Sequence, residues 1–152
     1  MIKHLRACNE IAQRAVRRGH HPFGAILVAP DHEEVLLTQG NVSVIRHAES
    51  ELARKAADLY TASYLWDCTL VSTLEPCAMC AGTQYWANIG RLVYGVAETK
   101  LHELTGSDER NPTLSLPSRS VLDSGQKGIQ VFGPFPEVEV EIIAPHLDFW
   151  NT

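Results

Sequence analysis

The tightest constraint on this chain is a pair of short motifs at two places where a helix should begin. His47-Ala48-Glu49 opens residues 48–59, a run rich in Ala, Glu, Leu, Arg and Lys, all strong helix formers. Pro76-Cys77-Ala78-Met79-Cys80 opens a second predicted helix, which starts at Cys77 just past the proline and runs to about Ala87. Between them lies an apolar, strand-like run from Leu65 to Thr73, with Thr69, Leu70, Val71 and Ser72 at its centre. A fold that uses both motifs in one site must bring two helix starts together.

The residue types in these motifs suit a metal. Zinc takes nitrogen and sulfur ligands tetrahedrally, and a catalytic zinc keeps one position for water. His47, Cys77 and Cys80 supply three ligands and leave the fourth position open. Cys77 and Cys80 are three residues apart, so on a helix they share a face. The positive end of a helix dipole favours thiolate and helps to hold a bound hydroxide. Glu49, on the same local turn as His47, can take a proton from metal-bound water and deliver it to a substrate. A lone Cys-x-x-Cys also reads as a redox pair, and a lone His-Ala-Glu as a capped helix start. Their conjunction points to a catalytic zinc site. Cys8 and Cys68 sit alone in core-like segments and read as small buried hydrophobes, so a site of four thiolates is not expected.

The remaining pattern predicts an α/β protein. A length of 152 residues fits one domain over 1–152. Residues 2–18 place Ile2, Leu5, Ile11, Ala12, Ala15 and Val16 at helical spacing, and Gly19 supplies a stop. Phe23 to Ala29 and Val35 to Thr38 read as strands of a hairpin around Pro30-Asp31-His32. Arg91 to Ala97 is a fourth strand, residues 101–120 a long loop with some helix, and Ile129 to Phe132 a fifth strand. Pro145 is expected to open a short final helix. This order implies a mixed sheet with helices on both faces. No apolar run approaches the roughly 20 residues of a membrane helix. The mixed charge of the N-terminus reads as an amphipathic helix, not a signal peptide, so a cytoplasmic location without membrane contact is expected. The net charge of −5 favours a small-molecule partner over nucleic acid, whose phosphates call for a basic surface. His20, His21, His102 and His146 lack ligand spacing to the zinc set and are expected at the surface or in loops.

His47-x-Glu49 followed by Pro76-Cys77-x-x-Cys80 resembles the signature of the cytidine deaminase superfamily, the zinc-dependent deaminases of nucleobases and nucleosides. The resemblance runs from Pro22-Phe23-Gly24-Ala25 to about Gly133. Within the superfamily the chain looks most like the branch of bacterial guanine deaminases, cytosine deaminases and tRNA adenosine deaminases. It implies a three-layer α/β/α fold with a five-stranded mixed sheet, usually as a homodimer. It implies Zn2+ on His47, Cys77 and Cys80, with Glu49 moving protons while water displaces ammonia from an amidine-like carbon. It also implies substrate contacts from Asn41, from Phe23 on the ring face, and from the Ala48 amide and Glu75 carbonyl. Tyr85-Trp86-Ala87 and Gly106-Ser107-Asp108-Glu109 are similar to stretches of guanine deaminases, so Trp86 and Asp108 are expected at the substrate. Asp108 would accept from the N1–H and 2-amino group of guanine.

A nucleobase-like substrate is thus expected, guanine-type ahead of cytosine-type or a nucleoside. A tRNA-editing enzyme should carry a basic C-terminal helix, whereas residues 137–152 hold four acidic residues and no Lys or Arg. A non-catalytic, zinc-stabilised module would have no use for Glu49. Two departures from the relatives stand out. The loop from Asn41 to His47 is shorter and lacks their Asp-Pro-Thr. The C-terminus stops early, with Phe149 and Trp150 expected to pack a terminal helix.

Overall fold

The strands of this chain have the composition of a sheet covered on both sides. Phe23 to Ala29 is almost uniformly apolar, as a strand is when neither face meets water. A computed structural model describes residues 1–106 and 108–150. Its strands are β1 (Gly24–Val28), β2 (Val35–Gly40), β3 (Thr69–Leu74), β4 (Arg91–Val96) and β5 (Gln130–Phe132), in the spatial order β2-β1-β3-β4-β5. Strand β1 pairs antiparallel with β2 and β3, and β3, β4 and β5 run parallel.

Side chains alternate between the two faces. Ala25 and Leu27 of β1 and Leu70 of β3 pack with Leu52, Ala53 and Ala56 of α2 (Ala48–Leu59) and Ala81 of α4 (Ala78–Ala87). Ile26 and Val28 of β1 and Val71 of β3 pack with Leu5, Cys8 and Ile11 of α1 (Ile2–Arg17) and Ile142 of α7 (Glu139–Trp150). The result is the expected three-layer α/β/α arrangement around a five-stranded mixed sheet. Cys8 and Cys68 are buried, each donating its thiol hydrogen to a backbone carbonyl.

The topology also answers the demand made by the two motifs. Strand β1 is antiparallel to both neighbours, so β2 and β3 run in the same sense. The helices that follow them, α2 and α4, therefore begin at one edge of the sheet, the carboxyl ends of the parallel strands, where α/β proteins bind ligands.

Three segments differ from the sequence pattern. Leu65 and Trp66 close a short helix, α3 (Ala62–Trp66), capped where Thr61 Oγ1 accepts from the Tyr64 N–H, and β3 starts only at Thr69. The stretch over 101–120, predicted as a long loop with some helix, is flanked by two helices that overrun its bounds, α5 (Glu98–Thr105) and α6 (Ser118–Asp123). The last helix starts at Glu139, with Pro145 inside it. Pro145 has no N–H for the Glu141 carbonyl one turn back. Asn9 Nδ2 on α1 donates to that carbonyl at 2.9 Å, so the break costs no unpaired acceptor.

The end of α7 docks on the entry to β1. His146, expected at the surface, is only 1% exposed. Its Nδ1 accepts from Trp150 Nε1 at 3.0 Å, and its ring meets Phe23 edge-on at 5.2 Å. Trp150 packs on His21 at 4.9 Å, and Arg110 lies over the Trp150 ring and donates to the Trp150 carbonyl. Phe149 and Trp150 thus pack a terminal helix, as expected. Residues Ser107, Asn151 and Thr152, which belong to the quoted stretches, lie outside the described residues. No described helix is long and apolar enough to cross a membrane.

Two stability predictions follow from this packing. A Cβ on Gly24 would lie 2.3 Å from the Cys8 carbonyl oxygen and 2.8 Å from the Ala12 nitrogen, both backbone atoms of α1. Gly24→Ala should lower stability by about 1–3 kcal/mol in urea unfolding, the usual cost of overpacking; an unchanged midpoint would refute so close an approach of α1. Burial pushes the His146 pKa down from 6.5 to about 4. The unfolded chain therefore gains a proton that the native state refuses, and stability should fall as pH drops from 6.5 toward 4, by up to about 3 kcal/mol. His146→Gln should flatten that part of the stability–pH curve.

Candidate metal centre

His47 and Cys77 each sit at the N-cap of a helix, in extended backbone conformation, and Cys80 lies within the first turn of α4. The shared sheet edge sets the three side chains against each other. His47 Nδ1 is 3.6 Å from Cys77 Sγ and 3.5 Å from Cys80 Sγ, and the two sulfurs are 3.7 Å apart. Tetrahedral ligands at about 2.3 Å for sulfur and about 2.05 Å for nitrogen place two sulfurs about 3.8 Å apart and sulfur about 3.6 Å from nitrogen. The observed triangle has those dimensions, so the donors fit zinc. His47 Nε2 meets the Val44 carbonyl at 2.8 Å, which orients the ring and leaves Nδ1 to the metal. Among the described residues this is the one cluster of His, Cys or carboxylate donors with metal-binding spacing.

Without a cation the three donors compete for protons. Hydrogen bonds from Cys80 and His47 hold the Cys77 thiol down to about 4, while the neighbouring sulfur and burial push Cys80 up. The Cys77 sulfur raises His47 to about 9. Binding of a divalent metal releases these protons.

Glu49 is buried in the first turn of α2, and burial raises its pKa. Ser72 Oγ lies 2.7 Å from Glu49 Oε1 and 2.6 Å from the Leu74 carbonyl oxygen. The carbonyl can only accept and Ser72 has one proton. Ser72 therefore donates to one of the two at a time, and keeps both contacts once Glu49 has taken up a proton. Ser72 was not singled out from the sequence; its only signal is a small polar residue at the centre of a buried strand.

Beside the metal cluster lies a cavity of about 40 Å³, lined by His21, Phe23, Asn41, Val44, His47, Glu49, Leu74, Glu75, Cys77, Glu98 and Asn111. Of the expected substrate contacts, Phe23, Asn41 and Glu75 are there. Asn41 donates from Nδ2 to the Ser43 carbonyl and keeps Oδ1 without a partner among the described residues. Ala48, Trp86 and Asp108 are not in the lining. Ala48 is expected to act through its backbone amide at the start of α2, and its side chain packs in the core between α2 and the sheet. Trp86 is 81% exposed on α4, with Tyr85 and Lys127 beside it. Both carboxylate oxygens of Asp108 accept from Arg110, whose hydrogen bonds hold its pKa down to about 2. His21, expected at the surface or in a loop, lies in a loop and lines the cavity, and Glu98 and Asn111 line it without having been singled out. Glu98 reads in the sequence as an ordinary acidic residue at a helix start.

Residues 2–96 match the zinc-binding region of cytidine and deoxycytidylate deaminases. The chain is 35% identical to the probable cytosine deaminase of Schizosaccharomyces pombe, over 99% of this chain and 92% of that protein. It is 37% identical over 86 residues to the guanine deaminase of Bacillus subtilis, a match that spans only 54% of either protein. The solved structure of guanine deaminase from Nitrosomonas europaea superposes with a TM-score of 0.70 at 21% identity, over 97% of this chain and 82% of that one. With the family match over most of its length and the donor triangle in place, the chain belongs to the zinc-dependent cytidine and deoxycytidylate deaminase family.

Proposed function

We propose that this enzyme hydrolyses the exocyclic amine of a free nucleobase or similar neutral amino-heterocycle, guanine-type first, and releases ammonia. The composition of the cavity carries this reading. Its lining holds three carboxylates and no Lys or Arg. A phosphate calls for charge-assisted donors, and this cavity supplies acceptors instead. A small neutral ring with N–H groups suits it, with Phe23 for the ring face and Asn41 for the ring edge. The same lack of Lys and Arg weighs against a tRNA substrate.

Zinc on His47, Cys77 and Cys80 would supply the Lewis acid that activates water. Glu49 accepts a proton as the water oxygen bonds to the amine-bearing carbon, then passes it to the nitrogen as the C–N bond breaks. A carboxyl with a raised pKa can hold that proton between the two steps. Ser72 fixes the orientation of Glu49. Cytosine is the second reading, supported by the end-to-end similarity to the S. pombe protein. We also infer a homodimer, because Trp86 on α4 and Val44 and Ile45 before α2 leave large apolar side chains exposed on the single chain.

A panel of guanine, cytosine, adenine, their nucleosides and their nucleotides tests the reading. Ammonia should appear from a free base, and turnover of nucleotides alone would refute it. Glu49→Gln should lower kcat by about 10²–10⁴-fold while zinc content is retained, and chelation should abolish activity and lower the melting temperature. Trp86→Glu should shift the chain from dimer to monomer in light scattering; a monomeric wild type would sink the assembly inference.

A further inference from the structure

Glu49, Glu75 and Glu98 line the cavity, and two of them are already engaged. Glu49 is held by Ser72. Glu75 Oε2 accepts from the Ser118 N–H and hydroxyl, and its Oε1 accepts from the Glu98 N–H. Glu98 differs. It is the first residue of α5 and only 8% exposed, yet its carboxylate has no hydrogen-bond partner among the described residues. The carboxyl opens on the cavity with no donor among the described residues, so it is free to accept a hydrogen bond from a ligand. Burial pushes its pKa up to about 8, and the charges of Glu49, Cys77 and Glu75 push the same way. Glu98 lines the same cavity as Glu49 and Cys77, the pocket in which the reacting end of a substrate would sit. Asp108, the acid expected for this purpose, is occupied by Arg110.

We propose that Glu98 is a specificity-determining residue that accepts a hydrogen bond from a ring N–H beside the carbon that loses its amine. The inference rests on the free-base reading above and narrows it. Heterocycles with a 2-amino-4-oxo edge, such as guanine, present an N–H at that position. Cytosine presents there a bare ring nitrogen on one side and a C–H on the other. In either protonation state Glu98 keeps an oxygen that can accept, so the assignment does not depend on its charge. Substrates lacking the donor leave the carboxyl buried and unpaired, which is the stronger source of discrimination.

The test compares zinc-loaded wild type, Glu98→Gln and Glu98→Ala on guanine, 1-methylguanine and cytosine. Wild type should favour guanine over both others by about 10- to 100-fold in kcat/KM, the range expected when a bound ligand leaves a covered acceptor unpaired. Glu98→Ala should lose that factor on guanine, chiefly through KM, and should treat guanine and 1-methylguanine alike. Glu98→Gln, which keeps one acceptor oxygen, should fall between. Zinc content and melting temperature should not move. Equal losses on both purines in Glu98→Ala would assign Glu98 a structural role and overturn the proposal, as would a wild type that prefers cytosine or ignores the methyl group. If Glu98→Ala fails to fold, the wild-type comparison of the two purines decides alone. If no free base is deaminated, the free-base reading fails as well; if guanine is deaminated without this coupling, only the Glu98 assignment fails.

Discussion

Three soft and polar donor atoms held within 3.7 Å of one another are the condition around which this fold is arranged. His47, Cys77 and Cys80 repel or compete for protons unless a cation lies among them, so the backbone has to enforce their approach. It does so with two helix starts at one sheet edge, and both helices are clamped by the apolar layer of Leu52, Ala53, Ala56 and Ala81 against β1 and β3. The reversal at the β1–β2 hairpin gives α2 the same starting edge as α4. The metal centre is thus a product of strand direction as much as of ligand chemistry.

The second organising feature is a surplus of acceptors. A divalent metal with two thiolates needs little further negative charge, yet Glu49, Glu75 and Glu98 all face the cavity. Glu75 is used in construction: it ties the start of α5 and the start of α6 to the end of β3. Glu49 is set for proton movement, and Glu98 remains for the ligand. Three chemically identical side chains differ in use because their hydrogen-bond partners differ.

Much of this was legible in the sequence, for identifiable reasons. Helical and strand periodicity located α1, α2, α4 and β1, where the apolar pattern is long and bounded by Gly, Pro or a turn. The metal donors were legible because their spacing has few other uses. What escaped depends on contacts between distant residues. Pro145 reads as a helix start until Asn9, 136 residues away in sequence and on another helix, satisfies the carbonyl that the proline leaves open. His146 reads as a surface residue until Trp150 and Phe23 enclose it. Asp108 reads as a free acid in a loop, and only the fold shows Arg110 closing on it. Glu98 carries no distinguishing pattern, because the lack of a partner is a property of the folded molecule.

The contact at Gly24 has a consequence for the cavity on the other side of that residue. Strand β1 begins where the absence of a side chain lets α1 touch its backbone, and Phe23 is the residue just before. The Phe23 carbonyl is fixed by the Asn41 N–H, and its ring by His146. The aromatic wall therefore behaves as a fixed jaw. Room for a larger ring would come from other parts of the lining, among them the segment between Asn41 and His47, where Val44 borders the cavity and Ile45 is exposed. Evolution of new substrate range in such a chain would be expected to run through that short segment while the jaw carrying Phe23 stays as it is.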